Sequence, residues 1–375
     1  MKFKTQATII VLLLFSINCS AEEYVEFDPP LLLLLKPEEA KKLPLLVESP
    51  PYDETFKAMQ AAADSFLTHT PKPIKVIRYQ GLVSNHPKRI KSVKHLQDII
   101  KIHKLTWVYF VSQDKKYAAK AVEFINAWAN VYKASGNDVN DNKLEKCWVG
   151  FHMLRDFFSE AEQKKVADWI KSIGKALEKG IKHYRAGNME LKRAKNVLFA
   201  YYIADDKAGM KSIEPRIRKL WNISLKGDGK TSDLLARDAM HYHYSTLRSM
   251  IAIAQIGRII GKDYYNLKAD NGGSIAKSIE FSMPYIRGEK VYPEWVNTTA
   301  RLDKYRWYKA KDPYYKPGKP WDPWEAYEPL LLGAAFNDTL FKIAQKIRKD
   351  ANEPPQWLEV LSRATQRQAK GRKRT

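Results

Sequence analysis

The sequence has few cysteines and few strand patterns, and each scarcity excludes a class of protein. Two cysteines occur in 375 residues, Cys19 and Cys147, which excludes a disulfide-rich scaffold. Alternating β-branched runs and tight hairpin turns are scarce, which argues against a fold built on sheets. Neither a Gly-rich phosphate loop nor a G-x-S-x-G nucleophile motif occurs, so neither of these common active sites is indicated.

No apolar run is long enough to span a bilayer, but the first 21 residues have the pattern of a secretory signal. Lysines precede an apolar stretch over residues 7–17, and Ala21 offers a small residue for cleavage. We expect residues 1–21 to be removed and the protein to be periplasmic or secreted, with a lipid anchor at Cys19 left open. Removal leaves Cys147 as the one cysteine, so no intrachain disulfide is expected.

Acidic residues are outnumbered: 64 Lys and Arg against 42 Asp and Glu give a net charge of +22. Such a basic chain should associate with polyanions such as nucleic acid, anionic lipid or acidic polysaccharide. Export argues against nucleic acid as the working partner, so the charge favours an acidic glycan. Ordinary solvated lysine faces would produce the same charge, so charge alone does not identify the partner.

Helical periodicity covers most of the chain after a proline-rich segment over residues 22–50. Apolar residues recur at spacings of three and four from Ala121 to Val131, and Ser159 with Glu162 forms a capping box ahead of another helix. Long helices joined by modest loops predict an all-α fold of packed helical hairpins. We expect this domain to cover residues 51–361, followed by a basic, disordered tail over residues 362–375.

The stretch from Arg237 to Tyr244 contains the greatest concentration of reactive groups. It contains one guanidinium, two imidazoles and two phenols at the start of a predicted helix. Cations beside a phenol suit the removal of a proton next to a carboxylate, because they favour the phenolate and neutralise the acid group. An Asp-Gly loop precedes this stretch and an apolar helix follows it.

The order of these residues resembles the alginate lyase family of polysaccharide lyases. The matching residues are Asp228, Gly229, Asp233, Arg237, His241, Tyr242 and His243. Gly187-Asn188-Met189 is similar to the family's Asn-Asn-(His or Trp) element, and residues 117–128 are similar to its early helix. The resemblance implies an incomplete α/α toroid, a barrel of helical hairpins whose central groove carries the site.

The resemblance also implies roles for Tyr242, Arg237 and Asn188, and the helical pattern adds His241. Tyr242 would be the base and acid of a β-elimination, and Arg237 its electrostatic partner. Asn188 would bind the substrate carboxylate, and His241 is favoured over His243 as a site group, because His243 falls on the apolar stripe of its helix. The ordinary alternatives are a buried helix tyrosine, a surface arginine paired with a nearby aspartate, an asparagine that caps a helix, and structural histidines.

One position departs from the family pattern. Many relatives have histidine after the asparagine, whereas this chain has Met189, so another cation must neutralise the substrate. The available cations are His241, His183, Arg185, Lys192 and Arg193.

The segment from Tyr292 to Trp324 is rich in aromatic residues, lysine and proline, which suits contacts with an acidic sugar. Trp295 is the first choice within it. The complete set of expected substrate-binding residues is Trp295, Trp148, Lys192 and Arg193. We expect no metal and no cofactor, because two histidines two residues apart on a helix point to different sides.

The sequence therefore predicts an exported lyase that cleaves an acidic polysaccharide, with alginate and its polymannuronate form favoured. Three alternatives stay open. The first is a lyase that acts on glucuronan or another uronate polymer. The second is a protein that has the lyase fold but no activity and only binds acidic glycans, and the third is a basic surface protein that binds anionic glycans through its charge.

Overall fold

A computed structural model of the chain describes residues 34–82, 85–181, 187–348 and 355–366. The expected signal peptide lies outside these ranges, as do residues 367–375 of the expected tail. Two of the cations considered above, His183 and Arg185, also lie outside the described residues.

Within the described residues the chain forms seventeen α-helices and two short strands. In chain order the helices are α1 (Pro37–Ala40), α2 (Leu43–Leu46), α3 (Asp53–Phe66), α4 (Pro87–Ser112), α5 (Lys115–Val131), α6 (Asp138–Asp141), α7 (Glu145–Met153), α8 (Glu160–Lys179), α9 (Asn188–Ile203), α10 (Lys207–Ser224), α11 (Ser232–Arg237), α12 (Met240–Ile260), α13 (Ile275–Ile286), α14 (Arg301–Tyr308), α15 (Tyr327–Gly333), α16 (Asp338–Ile347) and α17 (Trp357–Thr365). The strands are β1 (Pro293–Glu294) and β2 (Lys319–Pro320), which pair antiparallel.

Local sequence signals define several helix ends. Gln113 adopts a left-handed conformation after α4, and the side chain of Asp114 accepts a hydrogen bond from the Lys116 amide, so α5 starts at once. Ser159 and Glu162 form the predicted capping box at the start of α8. Short connections of this kind make consecutive helices antiparallel neighbours.

Neighbouring helices pack in pairs along the chain, α3 with α4, α4 with α5, α8 with α9, and α9 with α10. Helix α9 also packs against α12, which in turn contacts α15. One continuous apolar core joins these helices and includes the fully buried Trp128, Trp148 and Trp221. The all-α prediction is confirmed. None of the described helices has the length and apolarity needed to cross a bilayer.

The two ends of the described chain pack on this core. At the N-terminal end, Leu34 is buried and its carbonyl accepts a hydrogen bond from Arg258. Helix α17 is also buried along the apolar stripe formed by Val360, Leu361 and Ala364. The domain end expected at residue 361 falls inside this helix, which runs to Thr365.

Candidate active site

A sharp turn between α11 and α12 places Arg237 over Tyr242. Asp238 has a left-handed conformation with φ 47°, which ends α11, and Ala239 is extended before α12 begins. The chain therefore reverses, and the Arg237 guanidinium lies 3.6 Å from the centre of the Tyr242 ring. Its Nη2 donates a hydrogen bond to the Tyr242 hydroxyl at 2.5 Å. The turn explains how two residues five positions apart reach one site.

A carboxylate and a second guanidinium from α14 complete the surroundings of Tyr242. Asp303, only 1% exposed, accepts a hydrogen bond from Arg237 Nε at 2.5 Å and another from Nη2. Arg306 donates to the Tyr242 hydroxyl at 3.4 Å and to the Tyr315 hydroxyl. The Tyr242 oxygen thus lies between two guanidinium groups, one of which is already neutralised by Asp303.

The balance of charge and burial sets the protonation of Tyr242. Burial raises the pKa of its phenol, Arg237 and Arg306 lower it, and the negative charge of Asp303 raises it again. The net direction is upward. The two arginines thus act on this pKa in the expected direction, but burial is the largest effect and Asp303 offsets part of the positive charge.

His241 precedes Tyr242 in the first turn of α12 and belongs to a polar cluster. Its ring meets the Tyr242 ring edge-on, with centroids 4.9 Å apart. Its Nδ1 lies 2.7 Å from the Tyr314 hydroxyl and 3.1 Å from Glu325 Oε2. Tyr314 also donates to Glu325 Oε1 at 2.5 Å. Burial alone would raise the pKa of Glu325, but its bonds to His241 and Tyr314 lower it overall.

Glu294 supports the first turn of α12 from β1. Its Oε1 accepts a hydrogen bond from the His241 amide at 2.8 Å, which satisfies a free N–H group at the helix start. The side chain is buried, and this burial raises the pKa of Glu294 to about 7; the His241 amide opposes the shift and the charge of Glu325 adds to it. Glu294 therefore connects the turn between α11 and α12 to the segment that follows α13.

Trp295 is part of the site, but it does not offer an open face to a sugar. Its backbone has φ 66°, and its amide donates to the Asp238 carbonyl at 2.6 Å. The indole is buried and packs nearly perpendicular to the Tyr242 ring at 5.6 Å and against Tyr315 at 4.9 Å. The expected stacking platform is therefore corrected to a packing support beneath Tyr242.

Asn188 is joined to this region through Asp233. The Asn188 amide donates to Asp233 Oδ2 at 2.7 Å, and Thr246 of α12 donates to the same oxygen at 2.5 Å. Gly187 precedes Asn188 with φ 101°, and a Cβ there would lie 2.9 Å from Asp233 Oδ1. One carboxylate thus holds the start of α9 against α12. Asn188 is the first residue of the helix, and the capping position belongs to Gly187.

Two other residues expected to bind substrate, Trp148 and Arg193, are engaged within the fold. Trp148 is completely buried and packs against Phe199, so it belongs to the core and cannot stack on a sugar. Arg193 forms ion pairs with Asp138 and Glu190, both at 3.0 Å. The positive charge of Lys192 lowers the pKa of the same Asp138 carboxyl, whereas burial, which is the larger effect, raises it.

His243 lies in the core, as its position on the apolar stripe predicts. Its Nδ1 is 3.2 Å from the Thr231 hydroxyl and its Nε2 is 3.0 Å from the Ser278 carbonyl. Burial lowers the pKa of His243 to about 4, so the ring is neutral at physiological pH.

Six site residues were not predicted individually, although all lie in or next to the aromatic segment that sequence analysis singled out. They are Glu294, Asp303, Arg306, Tyr314, Tyr315 and Glu325. The segment's composition indicated a functional region, but composition does not tell which acidic or basic residue points inward. Within the described ranges, no three His, Cys, Asp or Glu side chains are grouped closely enough to hold a metal ion.

Together these residues provide the groups that an enzyme acting on an acidic substrate requires. A helical fold that holds a buried tyrosine between two guanidinium groups, beside a histidine and a carboxylate, provides groups for proton transfer and for neutralising an acid. The model of the alginate lyase family matches residues 48–292, and the chain belongs to this family. It is a polysaccharide lyase.

Solved structures with the same fold agree with this assignment. An alginate lyase from Bacteroides ovatus has 19% identity and a TM-score of 0.66, over 87% of this chain and 97% of that one. Alginate lyase A1-III from Sphingomonas species A1 has 17% identity and a TM-score of 0.53, over 80% and 87% of the two chains. A variant of A1-III complexed with a tetrasaccharide has 15% identity and a TM-score of 0.53, over 81% and 88%. The predicted helical toroid is confirmed. No curated protein matches the sequence.

Proposed function

We propose that the protein cleaves alginate, with mannuronate units favoured, by β-elimination at Tyr242. The observation that carries the proposal is the position of the Tyr242 oxygen, which accepts hydrogen bonds from both Arg237 and Arg306. Donors fixed in this way favour a phenolate, because they need no rearrangement when the negative charge appears. The tetrasaccharide bound by the A1-III variant supports an oligosaccharide as the ligand of this fold.

The reaction begins with the proton on C5 of a uronate unit, next to the carboxylate. The Tyr242 phenolate takes this proton, the C4–O bond breaks, and the new double bond forms between C4 and C5. The phenol then returns the proton to the departing glycosidic oxygen. One residue serves both steps when the proton and the leaving oxygen lie on the same face of the ring, as they do in mannuronate.

The substrate carboxylate requires neutralisation before C5 becomes acidic enough to react. We propose that His241 fills the role left open by Met189, because its ring adjoins Tyr242 and is held by Glu325 and Tyr314. Arg306 supplies a second positive charge, and the side-chain amide of Asn188 supplies a further donor, since its backbone amide is already bonded to Asp233.

Tyr242→Phe tests the mechanism. The variant keeps the ring packing and removes the hydroxyl, so we expect activity on polymannuronate to fall by roughly 10²–10⁴-fold. The measurement is ultraviolet absorbance of the unsaturated uronate product. Tyr244→Phe is the matched control, because Tyr244 is also buried on α12 and its hydroxyl bonds only to Ser282 among the contacts described, at 2.6 Å. This control should keep full activity per folded molecule.

Three polymers separate the possible outcomes of the same assay. Product from polymannuronate that Tyr242→Phe removes supports the proposal, whereas product from glucuronan alone assigns a different uronate substrate. Activity retained by Tyr242→Phe would refute the tyrosine mechanism. Binding without product from polymannuronate, polyguluronate or glucuronan would identify a glycan-binding protein with a lyase fold.

We also propose that the protein works outside the cytoplasm, in the periplasm or the medium. The support is the signal pattern in residues 1–21. Fractionation of producing cells would place the mature protein in the periplasm or the medium. Full-length protein confined to the cytoplasm would contradict export.

A further inference from the structure

Helix α14 has two faces with different environments. Its inward face carries Asp303 and Arg306, which bond to Arg237 and Tyr242. Its outward face carries four exposed residues at helical spacing, namely Arg301, Lys304, Tyr305 and Tyr308. Residues at spacings of three, four and seven lie on one side of a helix, so these four form a continuous stripe, called here the outer stripe.

The outer stripe exposes two phenol rings that no core contact accounts for. Tyr305 is 59% exposed and Tyr308 is 58% exposed. No other tyrosine, tryptophan or phenylalanine within the described residues is classed as exposed. Large aromatic side chains are usually buried, and exposed ones close to a site indicate binding. A single exposed tyrosine would need no explanation, but two neighbours on one helix face do.

The charge of this surface is complementary to an acidic polymer. Lys309 and Lys311 follow the outer stripe and are also exposed. The one acidic residue of α14, Asp303, is buried and paired with Arg237. Pyranose rings stack on aromatic faces, and cations beside those faces attract the carboxylate of each uronate unit.

We propose that the outer stripe is a second polysaccharide-binding surface, separate from the cleavage pocket, that holds a uronate polymer at the mouth of the site. The identity of the polymer rests on the proposed function. The same short helix carries both surfaces, so a chain held on the outer stripe raises the local concentration of cleavable units near Tyr242. Long polymers gain from this effect, whereas a tetrasaccharide that fills the pocket alone does not.

Two double variants test the outer stripe, Tyr305→Ala with Tyr308→Ala and Arg301→Ala with Lys304→Ala. Polymer binding is measured by affinity electrophoresis in gels that contain polymannuronate, with Tyr242→Phe as the background to prevent cleavage. We expect each double variant to weaken binding at least about fivefold. With Tyr242 intact, KM for the polymer should rise to a similar extent, while kcat and the cleavage of a tetrasaccharide change less than about twofold.

Matched controls remove similar groups from other helices. Lys57→Ala with Lys164→Ala removes two charges from side chains that are 72% and 79% exposed on α3 and α8. Leu45→Ala removes an exposed apolar side chain from α2. These variants should bind polymer as the parent does, and thermal melts of all variants should coincide with the parent.

Each result decides the proposal. Unchanged polymer binding in both double variants would overturn it. An equal loss of polymer binding in the lysine control would also overturn it, because binding would then depend on the overall charge of the protein and not on this surface. A parallel loss of tetrasaccharide cleavage would place the residues in the cleavage pocket and also overturn it. Loss of binding in a protein that forms no product from any uronate polymer would support the outer stripe while refuting the proposed function.

Discussion

Arg237 and Asp303 form a largely buried ion pair, and we expect their contributions to the free energy of unfolding to be strongly coupled. Asp303 is almost fully buried and accepts hydrogen bonds from Arg237 and from Thr298 at 3.1 Å. Removing one partner of a buried pair leaves a charge without its counterion and costs about 3–5 kcal/mol. The Arg237 side chain is 19% exposed, so water can partly solvate its charge when the carboxylate is removed. We therefore expect Asp303→Ala to lower the free energy of unfolding by about 3 kcal/mol, the lower end of this range.

A double-mutant cycle isolates this pair from the packing lost in each variant. Asp303→Ala, Arg237→Ala and the double variant are unfolded in urea, with tryptophan fluorescence as the signal. Once one partner is absent, substitution of the other should lower the free energy of unfolding far less, which gives a coupling free energy of about 2–3 kcal/mol. A cycle on Lys57 and Asp53, a pair with a 72% exposed lysine, should show no measurable coupling.

The size of the coupling distinguishes two roles for Asp303. A large coupling means that Asp303 fixes the guanidinium over the Tyr242 ring. A coupling no larger than that of the exposed control pair would refute this reasoning, because Arg237 would then be held mainly by its packing on Tyr242.

The remaining predictions concern a glycine and a buried acid. Gly187→Ala should lower the thermal midpoint more than Gly261→Ala. Both glycines have positive φ, so each variant loses about 1–3 kcal/mol of stability to backbone strain, but the added Cβ meets Asp233 only at Gly187. Equal losses in the two variants would contradict the steric argument. Since burial raises the pKa of Glu294 from 4.5 to about 7, the folded state holds this proton more tightly, and stability should fall as pH rises across that interval by on the order of 3 kcal/mol. Glu294→Gln should remove this slope in urea unfolding measured from pH 4.5 to 8; an unchanged slope would place the titration elsewhere.

Helical periodicity was enough to predict the fold class, because helices such as α5 and α8 display an apolar face and local caps. The toroid needed the family resemblance, since periodicity does not determine how hairpins close into a ring. The expected domain end at residue 361 lies inside α17, because this helix is short and its burial depends on contacts with distant helices.

The site was predictable only where its residues are close in sequence. Tyr242, His241 and Arg237 share one turn, so the sequence placed them together. Asp303 lies 66 residues from Arg237, and its pairing arises from the path of the chain after α13. The net direction of the Tyr242 pKa was not predicted for the same reason, because burial and a distant carboxylate decide it.

The family match ends at residue 292, yet residues 293–325 supply Asp303, Arg306 and Glu325 to the site. Asp238 is one of several residues that attach this segment to the helical body, and it accepts hydrogen bonds from the Tyr292 hydroxyl and from the amides of residues 295 and 297. Because Asp303 holds Arg237 and Trp295 packs against Tyr242, this segment cannot be replaced without also changing the supports of the tyrosine. Residues beyond the family match are therefore part of the same structural unit as the helices that carry Tyr242.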